Sequence, residues 1–147
     1  MHPSNSVEII SSAICANFIA QAYKFVVYLI INKQVNFKRL FQTGGMPSSH
    51  SSFMMAMATS TGYTAGFNSA TFAIALTISL VVMYDAAGLR RAVGRQATVL
   101  NQILAEIFSE HPHLSSHRFR ELLGHTPIEV FVGAILGIAI AVWFHKM

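Results

Sequence analysis

Charge is what this sequence has least of. Lys, Arg, Asp and Glu together make up 11% of the 147 residues, while 53% are apolar. A water-soluble domain carries about 25% charged residues. The shortage argues against a solvated globule and, with a mean hydropathy of +0.49, points to an integral membrane protein. Cysteine is nearly absent. Cys15 stands alone in an apolar run, which excludes a disulfide framework and reads as a small buried or lipid-facing residue. The net charge of +4 forms no basic stripe, so no nucleic-acid partner is expected. The opening MHPSNS lacks a positive n-region and a clear cleavage site, so no removable leader is expected. Internal repeats and low-complexity tracts are missing too. The length suits one domain, residues 1–147.

What is present is a series of apolar stretches of the length a bilayer demands, about 20 residues. They lie at about 8–31, 51–67, 70–89 and 127–144. The first carries Asn17, Gln21 and Lys24 inside it, and the third ends in Asp85. Between the third and fourth, Val93, Ala97, Leu100, Leu104 and Ile107 recur at spacings of 4, 3, 4 and 3, the pattern of an amphipathic helix. It either continues the third span or lies at the interface, and Pro112 stops it. The expected fold is all-α: a bundle of about four transmembrane helices plus an amphipathic interfacial helix.

Four spans put both termini on one side. The other side collects Lys33, Lys38, Arg39, Arg90, Arg91, Arg95, Arg118 and Arg120, against Lys146 alone opposite. The positive-inside rule assigns the basic side to the cytoplasm, in a cell inner membrane. Cations kept for a ligand would inflate that count.

Polar residues in such a chain need a reason. In GGMPSSHSS, residues 44–52, a Gly-Gly turn and Pro47 precede Ser48 or Ser49 as N-cap. The first-turn amides and the positive helix end make an anion site there, with His50 beside it. The plainer alternative is a capped helix start with an interfacial histidine. In GHTPIEV, Thr126, Pro127 and Glu129 fit a capping box at cap, N1 and N3. Glu129 also stands four residues after His125, so its carboxylate can orient that ring and leave the other nitrogen for nucleophilic attack. Intramembrane Lys24 and Asp85 are functional candidates by default. Snorkelling and an ion pair with Arg90 or Arg91 are the structural alternatives. Because spans one and three end, and spans two and four begin, on one face, all these groups can converge. Two histidines with several cations suit phosphate transfer, and the pattern requires no metal and no other cofactor.

Three motifs in order — GGMPSSHS, MYDAAGLRR with GRQATVLN, and ELLGHTPIEV — make the chain similar, along nearly its whole length, to the divergent branch of the type 2 phosphatidic acid phosphatases, a superfamily shared with vanadium haloperoxidases. The resemblance implies that His125 takes the phosphoryl group, that Glu129 stands where the family usually has an aspartate, and that His50 protonates the leaving alcohol. It implies that Ser48, Ser49 and Lys24 hold phosphate oxygens. The chain departs from the pattern at three points. The motif glycine is Ser49; the first motif's arginine-proline is missing, with Arg39 only loosely placed; and Phe119 occupies the last motif's arginine position. Arg90 or Arg91 is assigned that arginine's role, with Arg118 and Arg120 as rivals.

The implied activity is a metal-independent lipid-phosphate phosphatase, acting on phosphatidylglycerophosphate, phosphatidic acid or a prenyl phosphate, with membrane lipids as its surroundings. The alternatives are a vanadate-dependent peroxidase of the same fold and a non-enzymatic transporter or assembly factor. Gly62-xxx-Gly66 and Gly133-xxx-Gly137 can pack helices, or two copies of the chain in a homo-oligomer. Metal handling by His111, His113 and His117 is a further reading, although HPHLSSH itself holds no cysteine or carboxylate.

Overall fold

A computed structural model describes residues 5–33, 45–110 and 125–147. The described residues form five helices: α1 (Asn5–Asn32), α2 (Ser49–Ala65), α3 (Ala70–Ala87), α4 (Leu89–Glu110) and α5 (Pro127–Lys146). Among the described residues, three stretches are long and apolar enough to cross a membrane: Ser6–Asn32, Ala70–Ala105 across α3 and α4, and Pro127–Lys146. The chain is an all-α membrane bundle.

The helix ends are set by local chemistry. Ser48 caps α2, its Oγ accepting from the Ser51 amide at 3.4 Å. Ser69 caps α3 through the Phe72 amide at 3.1 Å. Gly66, at φ +92°, stops α2 in a conformation that a β-carbon disfavours. Gly88 separates α3 from α4, yet its amide still bonds to Tyr84 O at 2.9 Å and its carbonyl to the Ala92 amide at 3.0 Å. The expected amphipathic helix thus continues from the third span, and its described part runs to Glu110.

α2 is the hub, touching α1, α3 and α5, whereas α4 packs on α3 alone among the described elements. At 17 residues α2 is the shortest helix, and it buries Ser49, Ser51, Ser52, Ala56, Ala58, Ser60, Thr61 and Gly62. Enclosed by neighbours, it needs little apolar surface of its own. The bundle is small inside and large outside. Ala13, Ala16, Ala20, Ala134 and Ala141 are buried, while Phe18, Tyr23, Ile74, Val81, Phe131 and Trp143 face outward. Lipid gives helices no hydrophobic reason to associate, so close backbone approach and hydroxyl bonds hold them instead. Ser12 and Ser60 pair Oγ to Oγ at 2.6 Å, and Ser79 Oγ donates to Met54 O at 2.9 Å. Cys15 is half-buried beside the Ala16, Ala56, Ile140 and Ala141 cluster, as a small packing residue.

The two glycine pairs diverge. A β-carbon on Gly133 would lie 3.1 Å from Ser48 N and from Ser51 Cβ, and one on Gly137 2.9 Å from Ala56 N. Gly133-xxx-Gly137 is therefore the seam between α5 and α2 within one chain. Gly62-xxx-Gly66 is a helix end, with the Gly66 amide bonded to Gly62 O at 3.0 Å and the Phe67 ring folded over Gly62.

Candidate active site

The seam decides where the histidines meet. α2 and α5 run parallel, so both begin at the same face of the bundle. The Ser48 amide donates to Glu129 O at 3.0 Å, tying one helix start to the other. The His125 amide donates to Ala86 O at 3.2 Å, adding the end of α3 and placing its neighbour Asp85 on this face. Lys24 Nζ reaches Ser49 Oγ at 3.4 Å from α1. The opposite face is marked by His145, 3.4 Å from Glu8 and stacked on Tyr63.

Thr126, Pro127 and Glu129 form the expected capping box. Thr126 Oγ1 accepts from the Glu129 amide at 3.3 Å, and Glu129 Oε2 accepts from the Thr126 amide at 3.1 Å. The same Oε2 lies 3.0 Å from His125 Nδ1. Helix capping and ring orientation, alternatives on sequence grounds, are served by one carboxylate oxygen. With Nδ1–H donating to it, the lone pair of the ring sits on Nε2.

His50 and His125 have ring centroids 6.3 Å apart at an interplanar angle of 62°. A reacting centre approaches its nucleophile to about 3–3.5 Å, and a proton donor lies about 2.6–3.2 Å from its oxygen. The observed separation is on the scale of one phosphoryl group gripped from two sides. His125 is 2% exposed and His50 half-buried, so a ligand must enter the protein to reach them.

The remaining expected residues are placed unequally. Ser48 is fully buried and committed to the fold: its amide serves Glu129 O, and its Oγ accepts from the Ser51 amide and from Ser51 Oγ at 3.1 Å. Ser49, by contrast, faces Lys24. Lys24 is not a snorkelling end residue, because α1 continues to Asn32 and the ammonium turns inward, within Coulombic reach of Glu129. The α5 N-terminus is filled by its own Glu129 carboxylate. Arg39, Arg118, Arg120, His111, His113 and His117 lie outside the described residues, and so do the side chains of Arg90 and Arg91. Gly45, at φ +81°, packs beside Lys24: a β-carbon there would lie 3.7 Å from Lys24 Cδ. The first-turn geometry was readable from the motif; the Lys24–Ser49 contact, 25 residues apart in sequence, was not.

Residues 5–140 match the model of a family described as the divergent PAP2 family. The chain is 34% identical over 137 residues to the uncharacterized membrane protein YuiD of Bacillus subtilis (strain 168), a match covering 86% of this chain and 87% of that protein. No solved structure matches.

Proposed function

This chain belongs to the divergent PAP2 family, and on that premise we propose that it is a metal-independent lipid-phosphate phosphatase working through a phosphohistidine. The observation that carries the reading is His125 held at Nδ1 by Glu129 with the His50 ring 6.3 Å away. The Nε2 lone pair attacks phosphorus, and the N–P bond forms as the P–O bond to the lipid breaks. His50 gives its proton to the departing alkoxide. Water then attacks the phosphohistidine, passing a proton to His50; the N–P bond breaks and its electron pair returns to Nε2. Lys24, Ser49 and the first amides of α2 hold the equatorial oxygens, the electrostatic part of phosphoryl transfer. Arg90, Arg91 and Arg39 are proposed to complete that set, Ser48 to fix the turn that presents it.

The test is phosphate release from phosphatidylglycerophosphate, phosphatidic acid and a prenyl phosphate by protein in lipid nanodiscs with excess chelator. Release is expected to persist with chelator and to stop with vanadate. His50→Ala is expected to lose roughly 10²–10⁴-fold in kcat on an alcohol leaving group. Glu129→Gln keeps an oxygen for the Thr126 amide and for Nδ1–H but removes the negative charge that stabilises the ring as it takes the phosphoryl group, and a loss of roughly 10²–10³-fold in kcat is expected at unchanged melting temperature. No release from any of the three lipids would reject the activity.

The basic face, Lys33 and Arg95 among its members, is proposed to lie on the cytoplasmic side of a cell inner membrane, which favours phosphatidylglycerophosphate made on that face. In a Cys15→Ser background, Lys33→Cys is expected to resist a membrane-impermeant maleimide until the cells are opened. Labelling of intact cells would invert the assignment.

A further inference from the structure

An apolar groove of about 200 Å³ lies between α1 and α5, lined by Ile19, Tyr23, Met46, Pro47, Val132 and Leu136. None of the six is charged. Ile19, Tyr23 and Met46 are 41%, 53% and 49% exposed, so the groove opens on the lateral surface of two membrane-spanning helices.

Its position is more informative than its greasiness. Each of the three segments that line it runs directly into the candidate site. Tyr23 precedes Lys24, Pro47 lies two residues before Ser49, and Val132 is three residues after Glu129. A cation and a helix N-terminus thus stand at one end of an apolar channel, the charge pattern of a phosphate head joined to a hydrocarbon tail.

We infer that this groove seats one hydrocarbon chain of the substrate, beginning at the carbons next to the phosphate. The inference rests on reading the adjacent site as a lipid-phosphate phosphatase. A methylene fills about the volume of a liquid water, about 30 Å³, so the groove admits on the order of six carbons. The rest of the tail, and any second chain, stays in the bilayer. A chain that leaves lipid for this groove gains little transfer energy, since both are apolar. What it gains is orientation: the first carbons are fixed while the phosphate meets His125.

Alkyl phosphates from ethyl to dodecyl, assayed in nanodiscs below their critical micelle concentrations, test this. In the parent, kcat/KM, corrected for each phosphate's partition into the bilayer, is expected to rise with chain length to about the sixth carbon and then level off, because carbons beyond the groove are not oriented by it. Val132→Phe, which fills the groove, should flatten the rise across the series. Ile19→Ala, which widens it, should keep the rise. A Val132→Phe profile identical to the parent's would overturn the assignment.

A second measurement does not need turnover. Hexadecyl phosphate carrying a diazirine at its sixth carbon is expected to label peptides holding residues 19–23, 46–47 or 132–136. Excess hexadecyl phosphate should compete, and Val132→Phe should suppress the label. Label spread evenly over the outward faces of α1, α3 and α5 would overturn the groove. So would crosslinks from Tyr23 to a second copy in place of lipid. Specific label without phosphate release would uphold the groove as a lipid-phosphate seat and reject the catalytic reading.

Discussion

His125→Ala is expected to abolish phosphate release, by at least about 10³-fold in kcat/KM, while the protein still purifies as a folded monodisperse species. The loss is that large because neither Glu129 nor His50 can stand in. Glu129 is spent on the Thr126 amide and on orienting the ring, and the His50 ring, proposed to serve the leaving group, sits 6.3 Å away. Removing an imidazole from a site that is 2% exposed leaves a cavity, so some stability is lost as well. The control is therefore His125→Gln, which refills most of the volume without a usable nucleophile. Acid-labile phosphate on the parent, trapped during turnover and absent from both variants, identifies the intermediate. Variants that release phosphate at a tenth of the parent's rate or faster would show that another group does the attacking.

Gly137→Val should be the most damaging change remote from the chemistry. A β-carbon at 137 meets Ala56 N at 2.9 Å and Ser52 C at 3.0 Å, all of it main chain that no rotamer can move aside. Overpacking of this kind costs about 1–3 kcal/mol where side chains can yield, and rigid backbone on the far side puts the cost at the upper end or beyond. The expected result is a large fall in melting temperature in detergent, or loss of folded protein. Gly66→Ala is the comparison. Nothing lies within 4 Å of a β-carbon there, so its cost comes only from the positive-φ backbone, about 1–3 kcal/mol, with no clash added. If the two variants melt together, spatial closeness at the seam is not what holds α2 to α5.

Local chemistry was legible in the sequence and lateral chemistry was not. Hydropathy located α1, α2, α3 and α5 to within a few residues, although α2 is not among the three stretches apolar enough to cross a membrane and the third such stretch runs on to Ala105; Ser48, Thr126 and Glu129 announced their caps because capping is a matter of three or four neighbouring positions. The order of spans put Lys24, His50, Asp85, His125 and Glu129 on one face, and the resemblance named the chemistry they suit. Sequence left Gly133 and Gly137 equally able to join two copies or two helices, since a glycine pair does not name its partner. It also could not show that Ser48 is consumed by the fold while Ser49 meets Lys24, since both are serines in the same turn. The apolar groove had no sequence signal at all: its six residues come from three segments and read as ordinary lipid-facing side chains.

The bond from the Ser48 amide to Glu129 O, reinforced by the glycine seam beneath it, has a mechanical consequence. It bolts the helix that carries His50 to the one that carries His125, so the two reactive rings ride on a single stiff chassis. α1 is pinned to the same unit at the opposite face by the Ser12–Ser60 bond, while near the site its polar hold is the 3.4 Å contact from Lys24. A shift of the site end of α1 would therefore leave the spacing of the two imidazoles unaltered.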